Sequence, residues 1–199
     1  RGAPDDVESS FHRRGRRARI LRRGQRTDRR RRSAAGSNHG LGLDTRTMSH
    51  ALASYIRSLL SGGSAYDRFV NGDRSAFTPQ QQLGLQLFRK ANCTACHVGP
   101  NFTDEQLHNT GVAWRHGKLA DEGAGQGQFK TPTLREIARS APYMHDGSFA
   151  TLEDVVEFYD AGGRPNPSLD REIRRLSLSP AEKRVMVAFL RALSGGSLR

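Results

Sequence analysis

The chain has 199 residues, enough for one or two small domains, and no apolar run approaches the ~18–20 residues that span a bilayer. Hydrophobic residues make up only 35%, low for one compact globule, so part of the chain is not core-forming. The formal charge of +12 is mostly a tail: residues 1–32 hold 13 arginines against four acids, and the rest of the chain carries only +3.

Residues 1–40 therefore read as a disordered basic tail. The blocks Arg13-Arg14-Gly15-Arg16-Arg17 and Arg29 to Arg32 repel and offer almost nothing to bury. No apolar stretch follows the charges, so the tail is not a secretory signal. Arginine-rich, patternless sequence also arises from out-of-frame reading of GC-rich DNA. A non-native segment is the reading favoured, and nucleic acid is not an expected partner.

From Met48 the pattern is helical. Residues 48–61 set Leu52, Tyr55, Ile56, Leu59 and Leu60 on one stripe, and Ser61-Gly62-Gly63-Ser64 stops it. Residues 64–77 read as a loop. A second helix opens at Thr78-Pro79, with Thr78 as N-cap and Gln81 completing a capping box. It leads directly into Cys93-Thr94-Ala95-Cys96-His97.

That pentapeptide is the attachment pattern of a c-type haem. Each thiol adds across one haem vinyl group, and the adjacent histidine becomes the proximal iron ligand. Cys93 and Cys96 are the only cysteines, and this role uses both. A dithiol redox motif would sit in a βαβ context, whereas these flanks are helical. A structural zinc site would need four ligands, and His108 and His116 are too far apart for the usual histidine spacing. Thioether attachment of haem takes place outside the cytoplasm, so a periplasmic location is expected.

Residues 98–130 are glycine-rich and polar and read as a long loop able to wrap a cofactor edge. Leu134 to Arg139 reads as a short helical stretch. Residues 151–160 form a helix with Thr151 as N-cap and Gly162-Gly163 as stop. Ser179-Pro180-Ala181-Glu182 opens the last helix, which runs to about Leu193. The expected fold is all-α, with no strand: a helix feeding the haem motif and a C-terminal helix returning over it, in the manner of a small cytochrome c.

The second axial ligand decides what such a haem does. Met144 and His145 lie on a loop and are within plausible reach; Met186 sits mid-helix among apolar residues and reads as core. Tyr159 shares a face with Leu152, Val155 and Val156, so its phenol points inward. On pattern alone it reads as an ordinary core tyrosine.

From about residue 49 to 195 the sequence resembles the C-terminal haem domain of bacterial di-haem cytochrome c peroxidases, particularly the MauG-like branch. The resemblance rests on Leu83-Gly84 to Phe88, Cys93 to His97, Asn101-Phe102-Thr103-Asp104, His108-Asn109-Thr110-Gly111, Phe129-Lys130-Thr131-Pro132-Thr133-Leu134-Arg135, Ala141-Pro142-Tyr143-Met144-His145-Asp146-Gly147-Ser148 and Leu152 to Gly163. It implies one covalent haem c on Cys93 and Cys96, with His97 proximal. The position fourteen residues after His145 is the family's distal ligand, and here it is Tyr159, as in MauG; Met144 is the alternative. It further implies that Arg135 pairs with a haem propionate. The backbone carbonyls of Ser140 and Pro142 would contribute to a calcium site at the interface with a second domain.

The family carries two such haem motifs and this chain carries one. The expected organisation is a tail over 1–40, a helix and linker resembling the interdomain segment over 41–77, and a cytochrome c-like haem domain over 78–199. The expected function is electron transfer by the haem c domain of a MauG-like di-haem peroxidase, a hydrogen-peroxide-dependent oxidoreductase. Its partners would be the N-terminal catalytic haem domain, which this chain lacks, and a small redox protein as donor or acceptor. By itself the chain is not expected to be a competent peroxidase. The alternative is a stand-alone monohaem electron carrier.

Overall fold

The computed structural model describes residues 44–59 and 61–195. The basic tail, Leu60 and the C-terminal residues 196–199 lie outside the described residues. The chain divides into two units, Arg1–Ser54 and Tyr55–Arg199. Helix α1, Thr45–Ser58, begins in the first and ends in the second. It starts a turn earlier than its apolar stripe suggests, because the Asp44 carboxylate accepts a bond from the Thr47 amide at 2.6 Å. The stripe itself is exposed, Leu52 at 60% and Ile56 at 63%.

The second unit holds the core. Three of its helices begin where their N-caps were expected. Thr78 and Gln81 open α3 (Pro79–Lys90), Thr151 and Asp154 open α4 (Leu152–Asp160), and Ser179 and Glu182 open α5 (Pro180–Arg191). In each, the cap side chain accepts from the third helical amide while the third side chain reaches back to the cap amide. Residues 64–77, expected as a loop, instead contain helix α2 (Ala65–Val70) and a 3-10 turn at Arg74–Ala76. Ser64 and Asp67 form a further capping box there. Six residues are too few to show a helical period, so only the cap could have revealed this element.

α3 and α5 pack against each other, and α4 packs on α5. Gly84 makes the closest approach possible: a Cβ there would lie 2.1 Å from the Val185 carbonyl oxygen and 2.7 Å from Phe189 Cβ. Phe189 and Leu193 are fully buried at the centre, ringed by Phe77, Phe88 and Phe102. Gly84→Ala forces the two helices apart and is expected to cost about 3 kcal/mol in urea denaturation. Gly62→Ala, where a Cβ meets open space, is expected to stay within about 0.5 kcal/mol.

The expectation of no strand is corrected in the loop of residues 98–130. Strand β1 (Leu107–His108) pairs antiparallel with β4 (Phe129–Lys130), and β2 (Trp114–Arg115) with β3 (Lys118–Leu119). The β2–β3 turn is His116-Gly117, both at positive φ (52° and 76°), as a two-residue hairpin requires. Two-residue ladders carry no alternation to read. The architecture is thus mostly helical with a few short strands. Among the described residues, no helix is long and apolar enough to cross a membrane.

Candidate functional site

α3 stops at Ala91, Asn92 turns left-handed (φ 61°), and Cys93–Ala95 winds as one 3-10 turn. The His97 amide bonds the Cys93 carbonyl at 3.0 Å, closing a helical turn around the motif. Cys93, Cys96 and His97 then line one wall of an apolar cavity of about 430 Å³, within the ~300–1,000 Å³ usual for cofactor pockets. Phe88, Leu134, Val156, Met186 and Leu190 contribute to its apolar walls.

The imidazole of His97 is fixed by its own loop. Its Nδ1 lies 2.8 Å from the Phe102 carbonyl oxygen, which can only accept, so Nδ1 carries the proton. Nε2 is left with its lone pair free, the arrangement that a metal-ligating histidine needs. Burial lowers the pKa of His97, outweighing the Phe102 bond and the Asp104 charge that would raise it. The ring is therefore neutral at pH 7.

Burial also pushes the Cys93 thiol up to about 12 and the Cys96 thiol up to about 11, the latter helped by the charges of Asp104, Asp170 and Glu172. Both cysteines are free. They stand as neutral thiols.

Tyr159 lines the same cavity from α4. Its neighbours Leu152 and Val156 are buried in the core, and Val155 and Val156 share the cavity wall. Burial raises the phenol to about 12, against a hydrogen bond with the Thr110 side chain that lowers it. Met144, the alternative, also lines the cavity, from a residue at φ 71°. Met186 is 4% exposed and contributes to both core and wall. The His145 ring stacks on Phe129, centroids 3.6 Å apart, at another part of the lining.

Arg135 is not brought into the cavity wall. Its guanidinium bonds Asp67 Oδ1 at 2.8 Å and the Pro100 carbonyl at 2.7 Å, and lies over the rings of Tyr66 and Phe102. Asp67 belongs to α2, the helix the sequence did not reveal, so this partner was invisible. Ser140 and Pro142 lie exposed on the cavity lip, where Ser140 Oγ donates to the Ile137 carbonyl.

One grouping escaped the sequence reading. His108 lines the cavity with both ring nitrogens engaged: Nε2 meets Asp104 Oδ2 at 2.9 Å and Nδ1 meets Asp170. The Asp104-x-x-x-His108 spacing was its only signal. Cys96, Asp104 and His108 are close enough to hold a metal, but both nitrogens of His108 are already committed to carboxylates. Burial alone would lower the His108 pKa; the bonds to Asp104 and Asp170 outweigh it and raise the pKa above 6.5. A raised histidine stabilises the fold fully below its unfolded pKa and loses that contribution as pH rises through the folded value. The stability gap between wild type and His108→Gln is therefore expected to be widest near pH 6 and to narrow toward pH 9, by thermal melts across that range.

Two neutral thiols, one neutral imidazole with a free Nε2 and a phenol thus converge on one apolar cavity. This donor set fits a flat apolar macrocycle tethered through its vinyl groups. The chain is 40% identical over 169 residues to the methylamine utilization protein MauG of Methylorubrum extorquens, covering 81% of this chain and 47% of that protein. It is 36% identical over 181 residues to the cytochrome-c peroxidase IdrP2 of Denitromonas iodatirespirans, covering 74% and 48%. A crystal structure of a MauG-like protein associated with microbial copper homeostasis superposes with a TM-score of 0.68 at 30% identity, covering 82% of this chain and 61% of that one.

The chain belongs to the MauG and di-haem cytochrome c peroxidase family.

No family model matches it. The diheme peroxidase BthA of Burkholderia thailandensis is a more distant structural relative, with a TM-score of 0.52 at 27% identity over 66% of this chain and 46% of that one. The chain spans about half the length of the curated MauG and peroxidase relatives it matches. In this family setting haem c is the cofactor, and haem-based oxidoreductase chemistry is the family's work.

Proposed function

We propose that this chain carries one covalent haem c and serves as the electron-transfer domain of a MauG-like di-haem cytochrome c peroxidase. It would relay electrons between an external redox protein and a second haem domain where hydrogen peroxide is reduced. The observation that carries this reading is the convergence of Cys93, Cys96, the free Nε2 of His97 and Tyr159 on one apolar cavity of about 430 Å³. Haem, when bound, supplies one-electron chemistry tuned by its axial ligands.

The chain's residues divide that work. Cys93 and Cys96 would hold the haem by thioether bonds. His97 would supply Nε2 to the iron; the Phe102 carbonyl orients its ring and makes Nε2 more basic. Tyr159 would supply its phenol oxygen as the second iron ligand. Burial raises its phenol to about 12, so a positive charge at its oxygen would be needed to make the anion available. The apolar walls exclude water. Because thioether attachment occurs outside the cytoplasm, the chain works in the periplasm.

Tyr159→Phe tests the ligand assignment. The ferric optical and EPR spectra are expected to change spin state, and the midpoint potential to rise by on the order of 100 mV. An unchanged spectrum, with a methionine–iron band lost in Met144→Leu, would transfer the role to Met144 and favour a stand-alone electron carrier.

A further inference from the structure

The rim of the cavity beside the two cysteines carries four exposed cations. The Asn92 side-chain amide donates to the Glu172 carboxylate, fastening the stretch of residues 171–175 to the residue that precedes Cys93. Glu172, Ile173 and Arg174 then line the cavity together with Asn92, Cys93 and Cys96. Arg171, Arg174 and Arg175 are exposed there, as is Lys90, the last residue of α3, two positions before Asn92. Among the described residues, none of these four cations makes a hydrogen bond or an ion pair. The charges of Glu182 and Asp160 reach Lys90 and Arg175 only at longer range.

Elsewhere among the described residues many cations are paired, while Arg46, Arg68, Arg74, Arg89, Lys118 and Arg184 stand unpaired but apart from the two cysteines' cavity lining. Lys130 pairs with Glu105, Arg115 with Asp146, Arg139 with Glu136, Lys183 with Asp160 and Arg191 with Glu153. Beside the cysteines, four exposed cations stand against Glu172, which keeps its charge in its bond to the Asn92 amide, and Asp170, which is bound to His108, leaving a local excess of positive charge. Unscreened charge at a rim steers an oppositely charged partner and raises its encounter rate.

We infer that this rim is the docking surface for an acidic one-electron redox protein. The inference rests on the haem reading above, since a macrocycle tethered by Cys93 and Cys96 presents its tethered edge beside this rim. In the exchange, one electron passes between partner and haem iron; one is oxidised as the other is reduced, with no bond made and no proton moved. Carboxylates on the partner would meet Lys90, Arg171, Arg174 and Arg175.

The test compares three full-length, haem-loaded proteins: wild type, the rim variant Lys90→Gln/Arg171→Gln/Arg174→Gln/Arg175→Gln, and a control, Arg46→Gln/Arg68→Gln/Arg74→Gln/Lys118→Gln, with the same net charge. All three keep the Arg-rich residues 1–32. Stopped-flow oxidation of the ferrous proteins by ferricyanide and by hexaammineruthenium(III) reads the field at the haem edge. Anisotropy of a fluorescein-labelled hexaglutamate peptide reads binding independently of redox chemistry. In the rim variant the ferricyanide rate is expected to fall roughly tenfold at low salt relative to the ruthenium rate, with the difference vanishing near 1 M salt. Hexaglutamate is expected to bind the rim variant more weakly than the control. Equal effects in rim variant and control, in either assay, would overturn the docking surface while leaving the haem reading intact. A chain that takes up no haem would overturn both.

Discussion

With Cys93 and Cys96 both replaced by alanine, the chain is expected to lose covalent haem and to melt about 10–20 °C below the wild-type holoprotein. The first effect follows from chemistry, since no thiol remains to add to the vinyl groups. The second follows from the size of the cavity. At about 24 cal/mol per Å³, an empty, sealed void of 430 Å³ would cost about 10 kcal/mol. That ceiling rivals the whole stability of a typical domain, ~5–15 kcal/mol. The mouth is open and water relieves part of the cost, so about half the ceiling is a reasonable expectation. Five kcal/mol corresponds to roughly 10–20 °C for a chain of this length. Haem is in this sense part of the core, which fits the low apolar content of the sequence. Differential scanning calorimetry with acid–acetone extraction of the haem checks both parts. A double variant that melts with the wild type would show that the cavity closes without the cofactor.

His97→Gly has the second large effect. The haem stays tethered through Cys93 and Cys96 but loses the nitrogen that Phe102 holds in place. The ferric spectrum is expected to lose its proximal-imidazole character, and millimolar free imidazole is expected to restore it by entering the vacated space. The rescue separates lost coordination from misfolding. A spectrum indifferent to the substitution would place the proximal ligand elsewhere.

Much of the frame was legible because its signals are local. Thr78/Gln81, Thr151/Asp154 and Ser179/Glu182 each announce a helix start with two residues three apart, and the structure forms all three boxes. Cys93 to His97 is equally local. Elements too short for a period were not legible. α2 and the two-residue strands depend on tertiary partners such as Phe77 and the β1–β4 pairing rather than on pattern. The same gap hid the ion pair between Arg135 and Asp67, which sits on the unseen helix. Tyr159 lay between these extremes. Its helical face was readable, but an inward phenol is ordinary in a core, and only the family resemblance singled it out. His108 and the 171–175 rim were missed because the residues that define them, Asp104, Asp170 and Asn92, are distant in sequence or commonplace in isolation.

Covalent attachment of one haem c through Cys93 and Cys96 is what the proposed function most depends on. The most direct measurement is the intact mass of the full chain under denaturing conditions, after expression in a periplasm with haem-maturation machinery. The mass is expected to be increased by one haem, retained through acid–acetone extraction and lost in Cys93→Ala/Cys96→Ala. An unmodified mass, or haem that extracts freely from the wild-type chain, would contradict it.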